Sequence, residues 1–289
     1  RDVMKALVIA FAVISTLCLA ELKAFCAEPL KFGVAAMISP QETIKYYDQI
    51  IDYVGKKLGR PVEMVQKRTY EETDRLLESG ELKLAFVCSG PYVMDKEKFG
   101  VELLVAPQSY GEPFYYAYII THRSSKIRNL AGLKGKSFAF TDPKSNTGRL
   151  VPAYMIGKSF NVSPEKFFSK IIYTRTHDKA IEAVAKKIVA GASVDSLIYN
   201  YAASKDPQFT SQTKIIAKSP RYGIPPIVTR GDLDPVLKAR IRSIFLTMHE
   251  DPEGREILAG IKVDRFIVPK DSDYDSVREM EKWLRKNIK

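Results

Sequence analysis

Strand signals and helix signals alternate along this chain with short loops between them, which restricts it to the α/β class. After Pro29, residues 31–36 read as a strand. Ser39-Pro40-Gln41-Glu42 then opens a helix, with Pro at its first position and Glu three residues after the Ser, and Gly59 and Pro61 end it. Residues 61–66 are the next strand, and Thr69-Tyr70-Glu71-Glu72 is a capping box for a helix that stops at Gly80. Residues 82–88 are apolar enough to lie buried on both faces, as in a parallel sheet. Ser89-Gly90-Pro91-Tyr92 leads into a short helix, followed by a strand at 101–106.

A second unit of the same kind follows. Residues 110–120 are rich in aromatics, and further strands are expected at 136–140, 171–173, 196–199, 214–217 and 227–229, with Asn200 just past the end of the third. Helices open near Leu150, at Ser163-Pro164, at Thr176-His177-Asp178 (running to Gly191), at Asp234-Pro235 and at Asp251-Pro252, and a last amphipathic helix covers 275–287. Two α/β units joined twice, near 116–120 and 215–221, imply two lobes around a cleft, with the C-terminal helices returning to the first lobe. In open α/β sheets, ligands collect at the carboxyl ends of the strands.

Three of those strand ends carry small polar residues, at Ser39, Ser89 and Ser145. The last is the richest: Asp142-Pro143-Lys144-Ser145-Asn146-Thr147-Gly148 joins an apolar strand to an apolar-periodic helix. Hydroxyls and unpaired amides converging at a helix start form an anion site. Ser145, Asn146, Thr147 and the amide of Gly148 are the candidates, with Gly148 allowing close backbone approach; the plainer alternative is a capped helix that binds nothing.

The first residues set the compartment. Met4-Lys5 precedes a run of apolar and small residues from 6 to 20, cut short by Glu21 and Lys23. That is the pattern of a secretory signal peptide rather than a membrane span, with cleavage after Ala24, Cys26 or Ala27. A lipid anchor at Cys26 is the less favoured alternative, because Phe25 precedes it. Beyond the leader the single cysteine is Cys88, which reads as a small buried hydrophobe, so one mature chain has no disulfide to form. The formal net charge is +11, but the basic residues are scattered, with no run longer than pairs such as Lys56-Lys57 and Lys186-Lys187. That distribution argues against nucleic acid and favours anionic solutes at long range.

Taken together, these residues resemble the phosphate/phosphite/phosphonate ABC-transporter solute-binding proteins. The likeness is carried by Asp142 to Gly148 continued by Leu150-Val151-Pro152-Ala153-Tyr154, by the His177-Asp178-Lys179-Ala180 helix, by Val194-Asp195-Ser196 through Asn200, by Ser219-Pro220 with Pro226-Ile227-Val228, and by Lys56-Lys57-Leu58-Gly59. It implies a type 2 periplasmic-binding-protein fold, each lobe a mixed, mostly parallel sheet flanked by helices. Residues 1–27 would be the leader, 28–115 and 221–289 the first lobe, and 116–220 the second. It implies a ligand set of Ser145, Asn146, Thr147, Gly148 and His177 from the second lobe, with Asn200 beside them, and of Ser89, Tyr92 and Tyr47 from the first. It further implies a monomer that carries a small anion to an inner-membrane ABC permease or to a membrane sensor. Pro225 stands where some aminophosphonate binders of this family have an acidic residue.

Two other functions fit the same shape: a binding protein or sensor for another small solute, such as a carboxylate or vitamin precursor, and an exported enzyme. Ser145, His177 and Asp178 form a triad only on paper, because His177 and Asp178 are neighbours at a helix start and face different ways. No P-loop, G-x-S-x-G or zinc motif is present, and His122, His177 and His249 have no paired ligand spacing, so neither cofactor nor metal is expected.

Overall fold

The computed structural model describes residues 28–288, and the leader reading, with Cys18 and Cys26, lies outside them. The chain runs β1 (Leu30–Val34), α1 (Pro40–Leu58), β2 (Val62–Gln66), α2 (Tyr70–Ser79), β3 (Leu84–Phe86), α3 (Ser89–Phe99), β4 (Glu102–Gln108). After a short strand β5 (Phe114–Tyr115) it continues through β6 (Ala117–His122), β7 (Ser137–Phe140), a π-helical turn (Asn146–Leu150), α4 (Val151–Phe160), α5 (Pro164–Phe167) and β8 (Lys170–Tyr173). Then come α6 (His177–Ala185), β9 (Gly191–Asp195), α7 (Ser196–Lys205) and β10 (Thr213–Lys218). The return runs through β11 (Tyr222–Gly223), β12 (Ile227–Thr229), α8 (Pro235–Thr247), α9 (Pro252–Gly260), β13 (Arg265–Ile267) and α10 (Asp275–Asn287).

Two main sheets result, ordered β13-β4-β12-β3-β1-β2 and β10-β6-β9-β7-β8. Each is mixed. The β-α-β parts pair in parallel, β1 with β2 and β3, and β7 with β8 and β9. Strands that come back after a crossing pair antiparallel, as β12 does with β3 and β4, and β6 with β9 and β10. The two crossings meet as a small antiparallel ribbon, Tyr115 opposite Tyr222 and Phe114 opposite Gly223. This is the two-lobed type 2 periplasmic-binding-protein architecture, with the cleft at the carboxyl ends of β1, β3, β7 and β9.

Local chemistry explains most boundaries. Thr69 Oγ1 accepts from Glu72 N while Glu72 Oε2 accepts from Thr69 N, the reciprocal cap expected at the start of α2. α1 ends where Gly59 turns left-handed at φ 63°. Ser39 does not cap α1 with its side chain; its backbone N–H donates to Asp178 Oδ1 of the other lobe. The strand expected at 196–199 is instead the first turn of α7, because Asp195 Oδ1 accepts from Leu197 N and Ile198 N. The sheet strand is 191–195.

The C-terminal helices divide their packing. α8 and α9 cover the first sheet, where Ile241, Phe245 and Ile257 join Phe32 and Leu104 in one core. α10 straddles both lobes, contrary to the expected return to the first. Trp283 meets Tyr154 of α4 edge-on at 5.1 Å and lies against Gly157, while Arg285 pairs with Glu97 of α3 at 3.1 Å.

Candidate anion site at the lobe interface

β7 ends at Phe140, and the chain turns on Asp142, whose Oδ1 accepts from Lys144 N. Ser145 then organises the next turn. Its Oγ accepts from Gly148 N at 3.1 Å, and its carbonyl accepts from both Arg149 N and Leu150 N at 3.0 Å. The bond to Leu150 spans five residues and widens the turn to a π-helix, a form common at functional sites. Ser145, Asn146 and Thr147 are fully buried, and Ser193 Oγ holds the Thr147 carbonyl at 2.5 Å.

His177 starts α6 and is buried beside this turn. Its Nδ1 accepts from Asp195 N at 3.1 Å, so the ring proton sits on Nε2, 3.5 Å from Ser145 Oγ. Burial drives the imidazole pKa down to about 3, so His177 donates as a neutral ring. Asp195, also buried, closes the same wall at the end of β9, and burial raises its carboxyl to about 7.

The first lobe supplies the opposite wall. Asn146 Nδ2 donates to Tyr115 OH at 3.1 Å, and Asn146 N lies 3.5 Å from Cys88 Sγ. Tyr70, the first residue of α2, packs with Cys88, and its backbone N–H donates to Asp142 Oδ2. Further bonds fasten the lobes together: His177 N donates to Met37 O at 2.9 Å, and Lys144 Nζ pairs with Asp74 at 2.7 Å and with Glu71.

Several buried polar atoms in this region have no hydrogen-bond partner among the described residues, namely Asn146 Oδ1, Thr147 Oγ1, Thr141 Oγ1 and Thr176 Oγ1, and the buried Tyr70 hydroxyl has only Ser145 within reach. Each buried unpaired hydroxyl costs about 1–3 kcal/mol, so a group of them at one place marks a ligand-holding surface. The set is made of hydroxyls, a neutral N–H and the accepting amide oxygen of Asn146, with no cation: Lys144 is engaged by Asp74 and Glu71, and Arg149 reaches outward to Tyr173 OH and Glu165. A group with several acceptor oxygens suits it.

Not every residue chosen from the sequence belongs to this cage. Gly148 spends its amide on Ser145 Oγ, and a Cβ there would overlap Thr141 Oγ1; it is glycine to admit Thr141, not a ligand oxygen. Ser89 Oγ donates to Gly223 O at 2.6 Å and so braces the crossing ribbon. Tyr92 is a core residue whose hydroxyl donates to Asp271, away from the cleft. Asn200 sits half-buried in the middle of α7 and lines neither interlobe cavity. Tyr47 lines an apolar cavity that shares Asp195 with the cage. In their place the structure adds Tyr70, Tyr115 and Asp195. Tyr70 and Tyr115 carry no local signal, and Asp195 shows in the sequence only as a helix cap.

The sequence model of a family described as the phosphonate ABC transporter periplasmic substrate-binding protein matches residues 32–274. The chain is 25% identical over 257 residues to the phosphonates-binding periplasmic protein of Escherichia coli, covering 87% of this chain and 75% of that one. A binding protein component of an ABC phosphonate transporter from Pseudomonas aeruginosa superposes with a TM-score of 0.84 at 23% identity, over 90% of this chain and 88% of that one. PhnD1 from Prochlorococcus marinus, solved in complex with methylphosphonate, superposes at 0.81 with 19% identity, over 89% and 98%. With its two-lobed fold and polar interlobe cage, the chain belongs to the family of phosphonate ABC-transporter periplasmic substrate-binding proteins.

Proposed function

We propose that this chain captures a phosphorus oxyanion between its lobes and delivers it to an inner-membrane ABC permease. Phosphonate is the first choice, since the family description and the named relatives point there. The observation that carries the reading is the gathering of buried polar groups on one turn and helix start: Ser145 Oγ lies 3.5 Å from Nε2 of His177 and meets the Tyr70 hydroxyl, and Thr147 Oγ1 on the same turn has no partner among the described residues. Ser145, Thr147 and His177 bind from the second lobe (116–220). Tyr70 and Tyr115 bind from the first (28–115 and 221–289), and Asn146 links the two walls. Hydrogen bonds to a charged group contribute on the order of 1.5–3 kcal/mol each. Several of them, less the cost of ordering, reach a micromolar affinity of roughly −8 kcal/mol.

Binding without catalysis fits the tautomer. A serine nucleophile needs a free lone pair on the imidazole nitrogen facing it and an acid on the other nitrogen. Here the nitrogen facing Ser145 carries the proton, the other accepts from a backbone N–H, and Asp178 is turned to Ser39 N. Export through the N-terminal leader to the periplasm, and action as a monomer, complete the proposal. The test is thermal unfolding and calorimetry of the mature chain against phosphate, phosphite, methylphosphonate, 2-aminoethylphosphonate, sulfate and small carboxylates. A rise in melting temperature with phosphorus oxyanions is expected. A response to carboxylates alone would overturn the assignment.

A further inference from the structure

The loop that carries the candidate ligands also carries two opposite charges that meet a single helix of the other lobe. Asp142, which is buried, accepts at Oδ1 from Lys144 N and at Oδ2 from the first amide of α2, Tyr70 N, at 3.2 Å. Lys144 Nζ reaches Asp74 Oδ2, one turn further along α2, at 2.7 Å and also pairs with Glu71. A carboxylate at the positive start of a helix and an ammonium on its first-turn acids make a directional match that fixes the register of the loop. Behind Asp74 lies Asp95 of α3, and both are buried. Asp74 Oδ1 and Asp95 Oδ2 have no donor among the described residues, and the two carboxyls are within hydrogen-bonding reach of each other, so one proton serves both. The other charges facing the pair are Glu71 of α2, which pairs with Arg75 at 3.2 Å, and Lys98 of α3, which pairs with Glu78 at 2.6 Å.

We infer that Lys144 is a positioning residue for capture: without touching the oxyanion it latches the ligand-bearing loop to α2 as the lobes close, and so sets how tightly the closed form holds its ligand. The inference rests on the capture reading given above. Lys144 immediately precedes Ser145, so anchoring its side chain in the first lobe fixes the start of the turn that presents Ser145 and Thr147. A contact made only in the closed form adds to binding, because the open form lacks it. The latch is also linked to protons. Burial raises the carboxyls of Asp74 and Asp95 above the usual range, and the ammonium of Lys144 works against that rise. Withdrawing Lys144 as the lobes part lets the pair take up protons, and docking it expels them. Closure is therefore favoured as pH rises and loses this support as the pair fills with protons.

The test is calorimetry of the purified mature chain with methylphosphonate and with phosphate at pH 5.5 and pH 8, paired with thermal unfolding without ligand. Lys144→Met keeps the aliphatic stem and removes the charge. At pH 8 it should weaken binding roughly tenfold, because closing then buries carboxylates with no cation beside them. At pH 5.5 the pair is neutralised by protons and the loss should shrink to about threefold or less. Comparing parent with variant at each pH cancels the ligand's own ionisation. Lys144→Arg should restore affinity at pH 8 to within about threefold, and adding Asp74→Asn to Lys144→Met should weaken binding by no more than about twofold further. Unchanged affinity in Lys144→Met, a loss equal at both pH values, or a loss that Arg does not restore would overturn the latch and leave the capture reading standing. A ligand-free melting temperature that falls in step with affinity would overturn it as well, by placing the contact in a permanent core. If the parent binds neither compound, capture and latch fail together.

Discussion

Gly90 lies in the first turn of α3, in the first lobe, and faces the loop that carries the candidate oxyanion ligands. A Cβ built there would overlap the carbonyl oxygen of Lys144 and stand 3.2 Å from Leu150 Cδ1 and 3.4 Å from Asn146 N, all in the second lobe. The Lys144 carbonyl is backbone and cannot swing aside, so Gly90→Ala forces the lobes to stop roughly 1 Å short of this closed arrangement. Overpacking of this kind costs about 1–3 kcal/mol. A ligand that meets both walls only in the closed form loses that amount, so affinity for methylphosphonate should fall roughly 5- to 150-fold. The fold of each lobe is untouched, and alanine favours the helix over glycine. Unfolding without added ligand should therefore stay within a few degrees of the parent or rise. Calorimetry paired with thermal unfolding reads both quantities. An unchanged dissociation constant would refute the claim that ligand binding requires this closure, and a large loss of stability without ligand would show that Gly90 and Lys144 belong to one permanent core.

Replacing Ser145 and Thr147 together with Ala removes two donors from the cage, one of them an unpartnered hydroxyl, so oxyanion affinity should drop at least 100-fold with the fold retained; unchanged calorimetric affinity would remove these residues from the site. Asp195 is neutral below about pH 7 and repels a bound anion once ionised. Affinity should accordingly weaken by up to about tenfold per pH unit above 7, and Asp195→Asn, which still caps α7, should flatten that profile. Burial, reinforced for Asp95 by the neighbouring Asp74, holds the carboxyls of Asp74 and Asp95 above the usual range. The folded chain therefore keeps protons that the unfolded chain releases, and stability falls as pH rises from about 4 through the raised folded values. Asp95→Asn should be more stable than the parent at pH 8 by denaturant unfolding and less so at pH 4; an equal difference at both values would contradict the assignment.

What the sequence discloses depends on how far apart the deciding groups lie. The capping box at Thr69 is complete within four residues, and the last amphipathic helix spans Asp275–Asn287 as expected, because both are local patterns. The run Ser196-Leu197-Ile198-Tyr199 has the apolar, β-branched look of a strand, but the side chain of Asp195 turns it into a helix start. Ser145, Thr147 and His177, which the fold brings together at the candidate site, stand out in the sequence through their place in a strand–loop–helix pattern and through family likeness. Tyr92, expected in the ligand set, packs in the core with its hydroxyl bonded to Asp271, 179 residues away, a pairing no local pattern announces. Tyr70 and Tyr115 join the proposed cage through contacts between the two lobes, which no neighbouring residue signals.

Trp283 is the only tryptophan in the sequence. It sits on the helix that touches both lobes, edge-on to Tyr154 and with Lys158 Nζ 4.8 Å from its ring centre. Its emission therefore samples the contact between α10 and the second lobe alone, without competing fluorophores of its kind. Any opening that draws the helix away from α4 exposes the indole to water and removes the ammonium above it, and both changes alter its spectrum. The unlabelled protein thus contains its own optical gauge of lobe separation, fast enough for stopped-flow mixing and specific to one seam of the molecule.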